Sequence, residues 1–327
     1  METRLDKKGL IIRILGSTVL ILWLFSKVEW KNIVEIASQG SLFYFIAAAI
    51  AIQVTVATSI WKWKILVASS INQDKKGGAS FSKLGRFYYI GLFFNNFLPG
   101  SVGGDVARVY YLGRITGIPV ATVSVGFERI TSGVALVVIA SIASFSMESA
   151  RVFLFPIFVT TGIILFVFLG IRNWIKRDRT KTGVSSEVPI SKLAKGIRNL
   201  KDELVKIGEA GATYRKEGMK WWLSVAILSI LFQVGMALIN HFLFLSFDIH
   251  IPWLEMLMII TLISVITMLP ISVNGFGVRE GCYIFFFKEL GVPDEIAVTV
   301  SLMFFLLVSL SSIVGGLFWM IERVRKD

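Results

Sequence analysis

Two short stretches of this chain have the makings of anion sites. The first reads Leu98-Pro99-Gly100-Ser101-Val102-Gly103-Gly104-Asp105-Val106-Ala107-Arg108, and the second reads Leu269-Pro270-Ile271-Ser272-Val273-Asn274-Gly275-Phe276-Gly277-Val278-Arg279. In each, proline and glycine break the backbone, and a new helix is expected to start after the glycines. Its free amide groups and the positive end of its dipole would then point at the break. Arg108 and Arg279 stand at equivalent positions, about one turn into these helices, and guanidinium is a natural two-pronged partner of phosphate. The chemistry expected is binding of a phosphate-bearing headgroup by Arg108, Arg279 and Arg129, with Gly103 and Gly104 in the first break. Asn95, Asn96 and Asn274 either contact the headgroup or satisfy backbone groups freed at the breaks.

Further charges fall within apolar stretches: Asp105, the pair Glu128-Arg129, and Glu280. A charge at membrane depth is costly enough to suggest function by default. Two roles stay open for the carboxylates: meeting an amine on the headgroup, or structural work, with Asp105 capping its helix or neutralising an arginine and Glu280 pairing with Arg108 or Arg279. His241 could relay a proton or simply accept a hydrogen bond, and His250 is expected in a short external loop. Cys282, the single cysteine, reads as packing. No P-loop, G-x-S-x-G elbow, H-E-x-x-H or soluble D-x-D pair is present, so no catalytic residue and no cofactor is expected. The two histidines and one cysteine cannot form a zinc cluster of the usual spacing, so no metal site is expected.

The elements that must position these residues are transmembrane. Of 327 residues, 55% are hydrophobic and only 17% charged, which excludes a water-soluble enzyme. The net charge of +12 does not point to nucleic acid, because 13 of the 34 Lys and Arg lie in residues 172–220, between two apolar runs. Runs long enough to cross a bilayer cover about 10–28, 41–60, 119–146, 152–171, 221–247 and 296–321, giving six spans. The first reads as an uncleaved anchor. The tryptophans fall near span ends, as interfacial belts require.

Two apolar regions, 84–118 and 253–292, are interrupted by Pro, Gly and Asn. The loops 62–86 and 172–220 are both basic, so both are expected in the cytoplasm, and with two full spans between them 84–118 must return to its own side. The basic tail extends the same counting: 253–292 becomes a hairpin entering from outside, and both termini are cytoplasmic. Laid over each other at an offset of 171 residues, the two breaks match at six of eleven positions. The expected fold is thus all-α, a single polytopic membrane domain over 1–327 with two inverted repeat units, 41–146 and 221–321, each carrying a re-entrant or short-helix hairpin. Within the basic loop, 188–218 has apolar residues at helical spacing and reads as an amphipathic helix, lying in the interface or covering the bundle.

The stretch Phe94 to Arg108, the pair Glu128-Arg129, and Leu269-Pro270 through Arg279-Glu280 together resemble a flippase-like integral membrane family related to the transmembrane part of lysylphosphatidylglycerol synthetases. The resemblance runs from about residue 9 to 322. It implies a multi-pass protein of the cell membrane that moves an aminoacylated or other anionic-derived phospholipid between leaflets. Aminoacyl transfer is not expected, since the soluble synthase domain that follows the membrane part in bifunctional members does not follow here. The family leaves two alternatives open: a polyprenyl-linked sugar lipid as substrate, or a non-transporting membrane partner of a separate lipid-modifying enzyme. Oligomers are compatible with either.

Overall fold

A computed structural model of the chain describes residues 39–70, 80–97, 102–146, 208, 210–268 and 275–324. Eight α-helices and one 3-10 turn are found among them, and no strand. In chain order these are α1 (Leu42–Ser70), α2 (Phe81–Phe97), α3 (Val102–Thr116), α4 (Ile118–Ser146), the 3-10 turn Thr213–Lys216, α5 (Met219–Leu245), α6 (Trp253–Met268), α7 (Val278–Lys288) and α8 (Asp294–Val324). Four of the helices, α1, α4, α5 and α8, are long and apolar enough to cross a membrane. At 1.5 Å per residue, the 29 residues of α1 reach about 43 Å, ample for a hydrocarbon core of about 30 Å. The protein is a polytopic helical membrane protein. The spans expected at 10–28 and 152–171, the breaks at 98–101 and 269–274, and all of 172–207 lie outside the described residues.

Both interrupted regions form a pair of helices around a break: α2 and α3 in the first, α6 and α7 in the second. The partners pack on each other, α2 and α7 both pack on α8, and α6 packs on α4 and α5. The second break ends later than its match in the first. Gly275 and Gly277 adopt φ of 78° and 81°, a backbone that L side chains avoid, so α7 begins at Val278. Arg279 therefore sits in the first turn of its helix, whereas Arg108 is nearly two turns into α3, a difference that the aligned sequences conceal.

The helices are assembled as lipid requires, with large apolar side chains outward and small or polar ones inward. On α1, Ile46, Ile50, Val54 and Trp61 are exposed while Ala48, Ala51, Thr55 and Ser59 are buried. Glycines set the closest crossings: a Cβ on Gly235 of α5 would overlap Thr55 of α1, and one on Gly315 of α8 would overlap the backbone of Tyr89 in α2. Hydroxyls inside the bundle bond back to carbonyls one turn away, as Thr55 does to Ala51 at 2.7 Å and Ser229 to Val225 at 2.8 Å.

One boundary differs from expectation. The span read as 41–60 continues to Ser70, and Lys62, counted as a loop charge, is fully buried inside it. Trp63, counted as interfacial, is buried too, with its indole N–H donated to Ser124 at 3.1 Å. The helix continues because Ser59, Lys62, Trp63 and Leu66 share one inward face, so the basic residue meets protein rather than water. Beyond α1's end, Tyr214 of the 3-10 turn is buried, donates to the Leu66 carbonyl at 3.0 Å, accepts from Ser70 at 2.5 Å, and stacks on Trp221. Burial pushes the Tyr214 phenol up to about 12, so it stays a donor.

Candidate anion site

A single residue separates α3 from α4. Gly117, at φ 94°, closes α3 with an N–H bond to the Gly113 carbonyl at 2.9 Å, and Pro119 sits in the first turn of α4, where its missing N–H is harmless. Such a tight turn folds the two helices back on each other. Asp105 and Arg129 each lie twelve residues from Gly117, about 18 Å along their helices, and Arg108 and Glu128 lie at nearly matching depths. The pairs meet accordingly. Arg129 grips Asp105 with two bonds of 2.9 Å, from Nε and from Nη2, and Arg108 Nη1 donates to Glu128 Oε2 at 2.9 Å while lying 3.5 Å from Asp105.

Lys62 completes the cluster from α1. Its ammonium lies 3.5 Å from Glu128 Oε1 and donates to the Glu128 carbonyl at 3.2 Å and to Ser132 and Ser229 on α4 and α5. Three cations thus face two carboxylates, leaving one unit of positive charge inside a membrane protein. Lys62, Arg108 and Glu128 are buried, whereas the Arg129 and Asp105 side chains are 46% and 25% exposed, marking the open side of the cluster.

Arg108 itself is clamped between aromatic rings, its guanidinium 4.3 Å from the Trp63 centroid and 4.5 Å from that of Tyr88. Gly91 of α2 makes the room, since a Cβ there would come within 2.8 Å of Arg108 Cγ. With Nη1 engaged, the Nε and Nη2 atoms are buried and have no hydrogen-bond partner among the described residues. Those two nitrogens form the edge of the fork that Arg129 uses to hold a carboxylate. Arg108 therefore keeps a two-pronged donor edge, enclosed in protein and flanked by rings that fix its plane.

The second arginine is placed differently. Arg279 donates from Nη2 to Glu280 at 3.0 Å and from Nε to Ser301 on α8 at 3.1 Å, and Ser301 donates to the same Glu280 oxygen at 3.0 Å. The other Glu280 oxygen accepts the Gly277 N–H at 2.6 Å, capping α7. Of the two partners open to Glu280, the one found is Arg279, and the resulting neutral latch ties α7 to α8.

Asn95 accepts the Gly104 N–H at 2.8 Å, the backbone-satisfying role, at the start of α3. Gly103 and Gly104 are buried, and a Cβ on Gly104 would overlap the Gly91 carbonyl and Asn95. Asn274 and the Asn96 side chain lie outside the described residues. His241 meets Trp253 edge-on at 5.7 Å, Asn240 accepts from Tyr283 at 2.5 Å, and exposed His250 lies 3.3 Å from the Asp248 carbonyl. No group of three metal-ligating side chains occurs among the described residues. Sequence reasoning missed Lys62, Trp63, Tyr88, Ser132, Ser229 and Ser301. The signal for Lys62 was the apolar run Ile65-Leu66-Val67 beyond it.

Residues 10–315 match the family model described as the lysylphosphatidylglycerol synthase TM region. The chain is similar to a UPF0104 membrane protein of Methanothermobacter thermautotrophicus, 19% identical over 91% of this chain and 88% of the relative. It is likewise similar to the UPF0104 membrane protein PH1989 of Pyrococcus horikoshii, at 22% identity over 91% of each chain.

Proposed function

The chain belongs to the lysylphosphatidylglycerol synthase TM region family, and from that premise we propose that it is a lipid translocase moving a phosphate-bearing phospholipid, aminoacylated forms included, between the leaflets of the cell membrane. The observation that carries this reading is the buried Nε–Nη2 edge of Arg108, which has no hydrogen-bond partner among the described residues. A guanidinium buried at membrane depth is costly unless its donors are met, and a lipid phosphate is the anion at hand in a bilayer. The headgroup enters past the partly exposed Asp105–Arg129 pair, which opens to let it seat on Arg108, while the acyl chains stay in lipid. Arg279 holds the second hairpin together instead of binding the headgroup, with its Nε and Nη2 already bonded. The protein acts as a transporter, not an enzyme, in six spans with both termini cytoplasmic. Its two hairpins form an inverted repeat that alternates access by rocking against the long helices.

The test is movement of fluorescent phospholipids across vesicles that contain the purified full chain. Arg108→Lys keeps the charge facing Glu128 but removes the forked edge. It is expected to abolish headgroup-dependent movement in folded protein, whereas wild-type movement in this variant would overturn the assignment.

A further inference from the structure

A binding site inside a bilayer is selective for the charge that neutralises it, because residual charge is poorly screened there. The two arginine clusters differ in this respect. Arg279 and Glu280 cancel, and every bond described there is internal. Around Arg108 the ion-pair network joins Lys62, Arg108 and Arg129 to Asp105 and Glu128, and no other charged side chain among the described residues takes part in it. One positive charge is left over, and the enclosed Nε–Nη2 edge of Arg108, which has no hydrogen-bond partner among the described residues, is the donor pair an anion meets when the cluster opens on its Asp105–Arg129 side.

Asp105 decides the size of that surplus. Its carboxylate lies between the two arginines, bonded twice to Arg129 and 3.5 Å from Arg108. Glu128, in contrast, is committed on both oxygens to Lys62 and Arg108 in the closed interior. Asp105 is thus the one carboxylate of the cluster on its exposed side, beside the path a headgroup takes. We infer that Asp105 is the charge-selectivity residue of the site. By cancelling Arg129 on the open side it tunes the site to a singly charged phosphodiester and against phosphomonoesters and diphosphates. This rests on the translocase reading above and narrows its substrate class, setting diester-linked lipids apart from diphosphate-linked ones.

The experiment uses the purified full chain in vesicles, with fluorescent phosphatidylglycerol as the singly charged diester and fluorescent phosphatidic acid as the monoester. The second phosphate ionisation of a monoester has a pKa of about 6, so phosphatidic acid is largely dianionic in mildly alkaline buffer. Wild-type protein is expected to prefer phosphatidylglycerol, and more so as the pH rises. Asp105→Asn, with two surplus positive charges, is expected to swing the ratio toward phosphatidic acid by on the order of tenfold. Arg129→Gln, which makes the cluster neutral, is expected to lose the preference for anionic over zwitterionic lipid. Wild-type ratios in both variants would overturn the role of Asp105 while leaving translocation standing. Movement of neither lipid by folded wild-type protein would overturn the translocase reading itself.

Discussion

Replacing Glu128 by Gln tests whether the buried cluster is held as described. Glutamine keeps the volume and one acceptor oxygen but removes the charge that faces Lys62 at 3.5 Å and Arg108 at 2.9 Å. Both cations are enclosed, with side-chain exposures of 1% and 4%, so water cannot replace the lost carboxylate. Leaving a buried charge uncompensated costs about 3–5 kcal/mol, far above the value of a surface pair. At about 2.1 cal/mol/K of unfolding entropy per residue, about 0.7 kcal/mol/K for 327 residues, the melting temperature should fall by about 4–7 °C. The assay is thermal unfolding in lipid nanodiscs, followed by tryptophan fluorescence. Charge, not shape, is the cause if Lys62→Met restores stability in the double variant, which returns the cluster to one surplus positive charge. About 2 kcal/mol of the loss should come back, a coupling that independent sites do not show. A Glu128→Gln protein that melts with the wild type, or a double variant whose loss is the sum of the two single losses, would refute the reasoning.

Three further outcomes follow from the packing. Gly91→Ala places a methyl 2.8 Å from Arg108 Cγ and should push the guanidinium out of its Trp63–Tyr88 clamp, lowering lipid movement more than thermal stability; equal losses in both would count against the clamp. Gly315→Ala drives a methyl into the backbone of α2 at Tyr89, where no side chain can yield, and should destabilise by about 1–3 kcal/mol or more in the same melting assay. Tyr214→Phe strips the hydroxyl that donates to Leu66 and accepts from Ser70, and about 1–2 kcal/mol should be lost, read as earlier melting and faster proteolysis near residues 208–218.

The helical membrane class was legible from composition because bilayer thickness dictates run length, and α4, α5 and α8 begin and end within a few residues of the expected spans. Both interrupted regions were legible as helix pairs because proline and glycine cannot continue a helix. The depth of α1 was hidden, since Lys62 and Lys64 look alike in sequence and only the inward face distinguishes the buried one from the exposed one. Arg108, Asp105, Glu128 and Arg129 are all legible as intramembrane charges and pairing between carboxylates and arginines is expected from them, but which carboxylate meets which arginine is not. The partners follow from Gly117, from which Asp105 and Arg129 are equidistant, once its positive φ folds the two helices back on each other. The inequality of Arg108 and Arg279 could not be read from six matching positions, because it arises from where each helix restarts after its glycines.

The most direct test of the central claim is a phosphorus–nitrogen dipolar measurement on arginine-labelled protein in phosphatidylglycerol bilayers, with Arg108→Lys as the difference control. Coupling from lipid phosphate to guanidinium Nε and Nη nitrogens, present in the wild type and missing in the variant, is the predicted result. Equal coupling in the two proteins would contradict it and remove lipid phosphate from the Arg108 seat.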